Sequence, residues 1–93
     1  MSSPLTWDEL LDLARRSEGR TLETVRGKAF TVGIYRDCPF FTPASSGNGQ
    51  SDGRKAGERF LKRYNETGSL RPGDYADDTR NASYYVALVQ LLR

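Results

Sequence analysis

The segment ASYYVALVQLL, residues 82–92, constrains the fold most strongly. Read as a helix, it has Ala82, Tyr85, Val86, Ala87, Leu88, Val89, Leu91 and Leu92 spread round almost its whole circumference. A helix with so little polar face has to be enclosed by the rest of its domain. The other way to satisfy it, a membrane span, needs about 20 apolar residues, and the unbroken apolar run here covers only 84–89. The 93 residues therefore read as one domain, 1–93, with this helix as its central element. Thr79, Asn81 or Ser83 is placed to cap it.

The N-terminal element is equally explicit. Thr6 followed by Glu9 is a capping box, with Leu5 and Leu10 at the spacing of a hydrophobic staple. Asp8 and Glu9 suit the positive end of the helix dipole, and Arg15 and Arg16 suit the negative end. Trp7, Leu10, Leu11 and Ala14 form one apolar face, and Gly19 is a natural stop, which predicts a helix over 7–17. Residues 21–25 are rich in β-formers, and 26–28 read as a turn. Phe30, Val32 and Ile34 then alternate with Thr31, Gly33 and Tyr35 as in a half-buried strand. Asp37-Cys38-Pro39 is expected to break that strand, and 40–42 to form a short third one.

Residues 44–51 hold two glycines and three serines without periodicity, and read as a flexible loop. Ser51 or Asp52 can cap a helix over 53–66, with Ala56, Phe60, Leu61 and Tyr64 on one side and cations on the other. Gly68 ends it, 70–74 turn, and Tyr75 is expected to pack back as an anchor. The predicted architecture is α+β: a small antiparallel sheet of two or three strands, packed on one face by three helices, in the order α-β-β-(β)-α-α.

The composition narrows the chemistry. With no histidine and only Cys38, the usual zinc sites, a His-dependent triad and an internal disulfide framework are excluded. Gly47, Gly49 and Gly53 precede Arg54-Lys55 without the Gly-Lys-Ser/Thr of a nucleotide phosphate loop. Cys38 has Arg36 nearby but no base to make it a nucleophile, and reads as a small partly buried residue. Asp74, Asp77 and Asp78 are accounted for as acids near the start of the last helix, with Arg80 behind them. Glu23, Lys28 and Asp37 have no spacing that defines a metal site. No catalytic residue, metal ligand or cofactor is therefore expected. The opening Met-Ser-Ser-Pro lacks the charged and apolar regions of a signal peptide, and with the lone Cys38 a cytoplasmic location is expected.

The positive candidate is the second helix. Formal net charge is only +2, yet 54–71 carries Arg54, Lys55, Arg59, Lys62, Arg63 and Arg71 against Glu58 and Glu66. Lys55, Arg59 and Lys62, with Arg63 beside them, follow one helix face and could track a row of phosphates. The Gly/Ser loop leads into the helix N-terminus, where backbone N–H groups attract anions, and Asn48 and Gln50 could touch base edges. A solvated face is the plain alternative, with Glu58–Lys62 and Lys62–Glu66 as ordinary i,i+4 pairs.

The tail Thr67-Gly68-Ser69-Leu70-Arg71-Pro72-Gly73-Asp74-Tyr75, followed by Thr79-Arg80-Asn81-Ala82-Ser83-Tyr84 and the apolar helix, resembles small uncharacterised bacterial proteins, including ones carried on mobile gene cassettes. The resemblance extends loosely over 27–92. It implies a small accessory protein and carries no named activity.

Two functions are weighed. The first is a non-enzymatic nucleic-acid-binding module, most simply for duplex DNA, acting through Asn48, Gln50, Arg54, Lys55, Arg59, Lys62 and Arg63. The second is a protein-interaction or small-ligand module, homodimeric through an open sheet edge or through Tyr35, Phe40 and Phe41.

Overall fold

The computed structural model describes residues 4–51 and 53–92. Helix α1 (Trp7–Arg16) is followed by strands β1 (Thr21–Glu23), β2 (Ala29–Tyr35) and β3 (Cys38–Pro43). Helix α2 (Gly53–Thr67), a 3-10 turn (Pro72–Tyr75), α3 (Ala82–Val89) and a terminal 3-10 turn (Gln90–Leu92) complete the chain. The strands form one antiparallel sheet in the order β1-β2-β3. The architecture is thus the expected α+β fold, with the third strand present.

The capping box forms as the sequence predicts. The Glu9 backbone N–H donates to Thr6 Oγ1 at 3.1 Å, and the Thr6 N–H donates to Glu9 Oε1 at 3.2 Å. Asn65 of α2 then ties down the residue before the cap. Its side chain accepts from the Leu5 N–H and donates to the Leu5 carbonyl, both at 2.9 Å.

One face of the sheet contributes Leu22, Phe30, Val32 and Phe41 to a core shared with all three helices. Helix α3 lies at its centre: Tyr85, Val86, Leu88 and Val89 are fully buried, as the apolar pattern requires. The core is held by aromatic contacts. Tyr85 meets Phe41 at 5.0 Å and Phe60 at 4.9 Å between ring centroids, and Phe60 meets Tyr75 at 4.4 Å. Pairs of this kind contribute about 0.5–1.5 kcal/mol each beyond the area they bury. Tyr75 is the expected anchor: it is fully buried, and its hydroxyl donates to the Ser69 carbonyl at 2.7 Å.

Several local expectations are corrected. Strand β1 stops at Glu23, because Thr24 closes a turn: its N–H donates to the Lys28 carbonyl at 2.9 Å, and its Oγ1 accepts from the Lys28 N–H at 3.1 Å. Strand β2 ends at Tyr35, before the expected break, but β3 starts at Cys38 rather than at 40 and runs through Pro39 to Pro43. The connection from β2 is a two-residue loop, Arg36 and Asp37, both at positive φ (52° and 61°). Helix α3 gives way to the 3-10 turn at Gln90 rather than continuing to 92. Its N-cap is Asn81, whose side chain makes no capping bond, while Thr79 Oγ1 accepts from the Asn81 N–H at 3.0 Å. Of the two residues expected to cap α2, Ser51 accepts from the Gly53 N–H at 3.4 Å, and Asp52 lies outside the described residues.

The outer edge of β3 is closed. Phe41 exchanges backbone hydrogen bonds with Gln50, at 2.9 Å and 2.7 Å, on the side away from β2. Alternate residues of a strand point their N–H groups the same way, so Pro39 and Pro43 share the edge that Phe41 presents. Neither proline has an N–H, and the one amide between them is taken. The expected sheet-edge dimer therefore has no donor to use along β3. The opposite edge, β1, is only three residues long.

Candidate nucleic-acid interface

Helix α2 turns Ala56, Gly57, Phe60 and Leu61 inward and its cations outward, as the periodicity predicts. It sits very close to its neighbours at Gly57, where an added Cβ would be 2.6 Å from the Trp7 ring and 2.8 Å from the Tyr85 hydroxyl.

The structure separates the five cations of α2 into two kinds. Arg54 and Arg63 are paired. Arg54 Nε donates to Glu58 Oε1 at 2.8 Å, and the guanidinium lies 5.4 Å from the Trp7 ring centroid. Arg63 Nε donates to Asp78 Oδ2 at 2.5 Å. Each hydrogen bond holds its guanidinium pKa above the ordinary arginine value. Lys55, Arg59 and Lys62 differ. Among the described residues, Lys55 and Lys62 have no ion-pair partner, so the Glu58–Lys62 and Lys62–Glu66 pairs of the solvated-face alternative do not form. Glu58 reaches back to Arg54 instead.

Arg59 is held without being neutralised by a direct carboxylate contact. Its Nε and Nη2 donate to the backbone carbonyl of Asp78, at 3.2 Å and 3.0 Å. Asp78 therefore grips α2 twice, by its carbonyl on Arg59 and by its carboxylate on Arg63. This corrects the reading of Asp74, Asp77 and Asp78 as dipole partners of the last helix. No acid stands in the first turn of α3, and Asp74 accepts a short hydrogen bond from the Ser69 hydroxyl. Glu23, Lys28 and Asp37 do not converge either. Lys28 precedes β2 and Asp37 follows it, so the strand's seven residues, about 3.4 Å each, lie between them.

The loop before α2 is better anchored than its composition suggests. Gly47, at φ 69°, closes a turn by donating its N–H to the Pro43 carbonyl at 2.8 Å. The Asn48 N–H donates to Ser46 Oγ at 3.2 Å. Gly49 lies against the Phe40 ring so closely that a Cβ would come within 2.1 Å of it. Gln50 is paired with Phe41. Asn48 and Gln50 are both exposed, and Gln50 lines a cleft with Arg26, Lys28 and Arg80. Arg80 also lines a second cleft, with Arg59. Two of the seven candidate residues, Gln50 and Arg59, thus border neighbouring clefts that share one arginine. The cations Arg26, Lys28 and Arg80 were not singled out from the sequence. Arg26 and Lys28 read there as a turn, Lys28 also being weighed with Glu23 and Asp37 for a metal site, and nothing local connects them to a residue more than fifty positions later.

The aromatic residues offered for a second copy also divide. Phe41 is fully buried in the core and cannot take part. Tyr35 is 52% exposed, with its ring 5.6 Å from that of Phe40. Among the described residues, no helix is long and apolar enough to cross a membrane.

Neither protein-family models, curated proteins nor solved structures gave a match to this chain.

Proposed function

We propose that the protein is a non-enzymatic nucleic-acid-binding module, most simply for duplex DNA, that lays the outer face of α2 along the phosphate backbone. The observation that carries this reading is the row Lys55, Arg59 and Lys62, three exposed cations on one helix face, none of which is in direct contact with a carboxylate among the described residues. From Lys55 to Lys62 the helix advances about 10 Å. One strand of a duplex carries about three phosphates over that length. Arg59 is fixed by the Asp78 carbonyl, so less side-chain freedom is lost when it binds. Asn48, exposed in the preceding loop, is available for sugar or base-edge contacts. An accessory role of this kind agrees with what the mobile-cassette resemblance implies.

The test is fluorescence anisotropy on a labelled mixed-sequence duplex at low salt. Lys55→Gln combined with Lys62→Gln should weaken binding at least tenfold, and equally across sequences, as loss of phosphate contacts does. Arg54→Gln, which removes a cation already paired with Glu58, should weaken it far less. No binding by the unaltered protein, or equal losses in both variants, would remove the reading.

A further inference from the structure

A cleft lined by cations takes none of its lining residues from α2. The cleft that Gln50 lines has a volume of about 220 Å³. Sites that enclose a whole drug-sized ligand run to roughly 300–1,000 Å³, so this one suits a single compact group. Arg26 and Lys28 supply its charge from the β1–β2 turn, and Arg80 forms the wall shared with the Arg59 cleft. Thr24, Ser83 and Tyr84 add hydroxyls. Among the described residues that line it there is no carboxylate, and neither Arg26 nor Lys28 has an ion-pair partner.

The frame of this cleft is preorganised. The turn that carries Arg26 and Lys28 is closed by three hydrogen bonds: Thr24 N–H to the Lys28 carbonyl, Gly27 N–H to the Thr24 carbonyl, and Lys28 N–H to Thr24 Oγ1. Gly27, at φ 80°, supplies the left-handed backbone that the turn needs. Gln50 is held by its two backbone bonds to Phe41. Tyr84 is held by its ring, which stacks on Phe41 at 5.3 Å and meets Phe30 edge-on at 4.8 Å. Cations and hydroxyls from two parts of the chain, 24–28 and 80–84, together with Gln50 from a third, therefore line one small opening on a rigid frame. That combination suits an oxyanion with several acceptor oxygens.

We propose that this cleft binds a phosphate group, with Arg26 and Lys28 as its charged ligands and the hydroxyls of Ser83 and Tyr84 as further donors. The phosphate could be supplied by a nucleic-acid strand or by a small phosphorylated molecule. The site stands whether or not α2 engages nucleic acid, because neither Lys55 nor Lys62 belongs to it.

The experiment is an amide-resolved NMR titration of the full chain with three probes: inorganic phosphate, a 5′-phosphorylated oligonucleotide, and the same oligonucleotide with a 5′-hydroxyl. At least one phosphate-bearing probe should shift the Gly27, Gln50 and Ser83 amides saturably. Arg26→Gln with Lys28→Gln, both on an exposed turn, should lower that affinity at least tenfold with an unchanged far-UV CD spectrum. Lys55→Gln with Lys62→Gln should leave inorganic phosphate binding as it was. Tighter binding of the 5′-phosphorylated strand identifies a strand end. Equal binding of both strands, each weakened by the turn variant, identifies backbone phosphate. A response to inorganic phosphate alone identifies a small ligand. Amides that no probe shifts, or shifts that survive the turn variant, would overturn the proposal.

Discussion

A methyl group at Gly57 would lie 2.6 Å from atoms of the Trp7 ring and 2.8 Å from the Tyr85 hydroxyl oxygen. Both rings are enclosed, Trp7 at 7% and Tyr85 at 0% exposure, so neither can swing aside. Forcing extra volume into such a contact costs about 1–3 kcal/mol, more than the roughly 1 kcal/mol alanine gains over glycine within a helix. Gly57→Ala should therefore lower stability by about 1 kcal/mol net, read as an earlier urea midpoint with unchanged slope. An unchanged or later midpoint would mean that α2 is not seated this closely. Tyr75 predicts a pH effect. Burial pushes its phenol above the ordinary tyrosine value of about 10. The folded state thus holds the proton more tightly than the unfolded chain, and this contribution is complete below pH about 10 and lost as pH rises through the folded value. Stability should fall above pH about 10, and Tyr75→Phe should flatten that fall in urea titrations. Tyr75 was legible in the sequence as a lone aromatic after a turn. Gly57 was not, because a helical glycine reads only as weak propensity until its neighbours are known.

Among the elements, those whose signals are local were predicted well. The Thr6–Glu9 box marks the start of α1, and the unbroken apolar pattern of α3 required its burial at the centre. The elements that depend on contacts distant in sequence were not legible in the same way. Cys38 and Pro39 read as part of the break after β2, yet both belong to β3, where the N–H that Pro39 lacks would fall on the outer edge. Residues 44–50 have the composition of a flexible loop, yet they are pinned by Gly49 against Phe40 and Gln50 against Phe41. The cations of α2 were visible as a stripe, but not their division by Asp78, which stands fifteen positions beyond Arg63. That division predicts two effects of opposite sign. Asp78→Asn keeps the carbonyl that holds Arg59 and removes the carboxylate that pairs with Arg63. A hydrogen bond between charged groups contributes about 1.5–3 kcal/mol when buried. Arg63 is half exposed, so solvent screening keeps the loss in stability well below that. Affinity for duplex DNA should rise, because a fourth cation becomes available. A variant that loses stability without gaining affinity would show that Arg63 does not face the nucleic acid.

For the whole molecule, a formal charge of +2 supplies little general attraction for a polyanion, so binding has to come from local geometry. The closed β3 edge leaves strand addition there little scope, and the proposed function places the contact on the exposed face of α2. The central claim is that three cations of α2, not five, meet phosphates, and the salt dependence of DNA affinity counts them directly. Each neutralised phosphate contributes about −0.9 to the slope of log K against log salt concentration. The protein should give a slope of about −3, with affinity falling roughly 40-fold between 50 and 200 mM salt, and the Lys55→Gln, Lys62→Gln variant a slope of about −1. A slope near zero for the unaltered protein, or one that the double variant leaves unchanged, would contradict the claim.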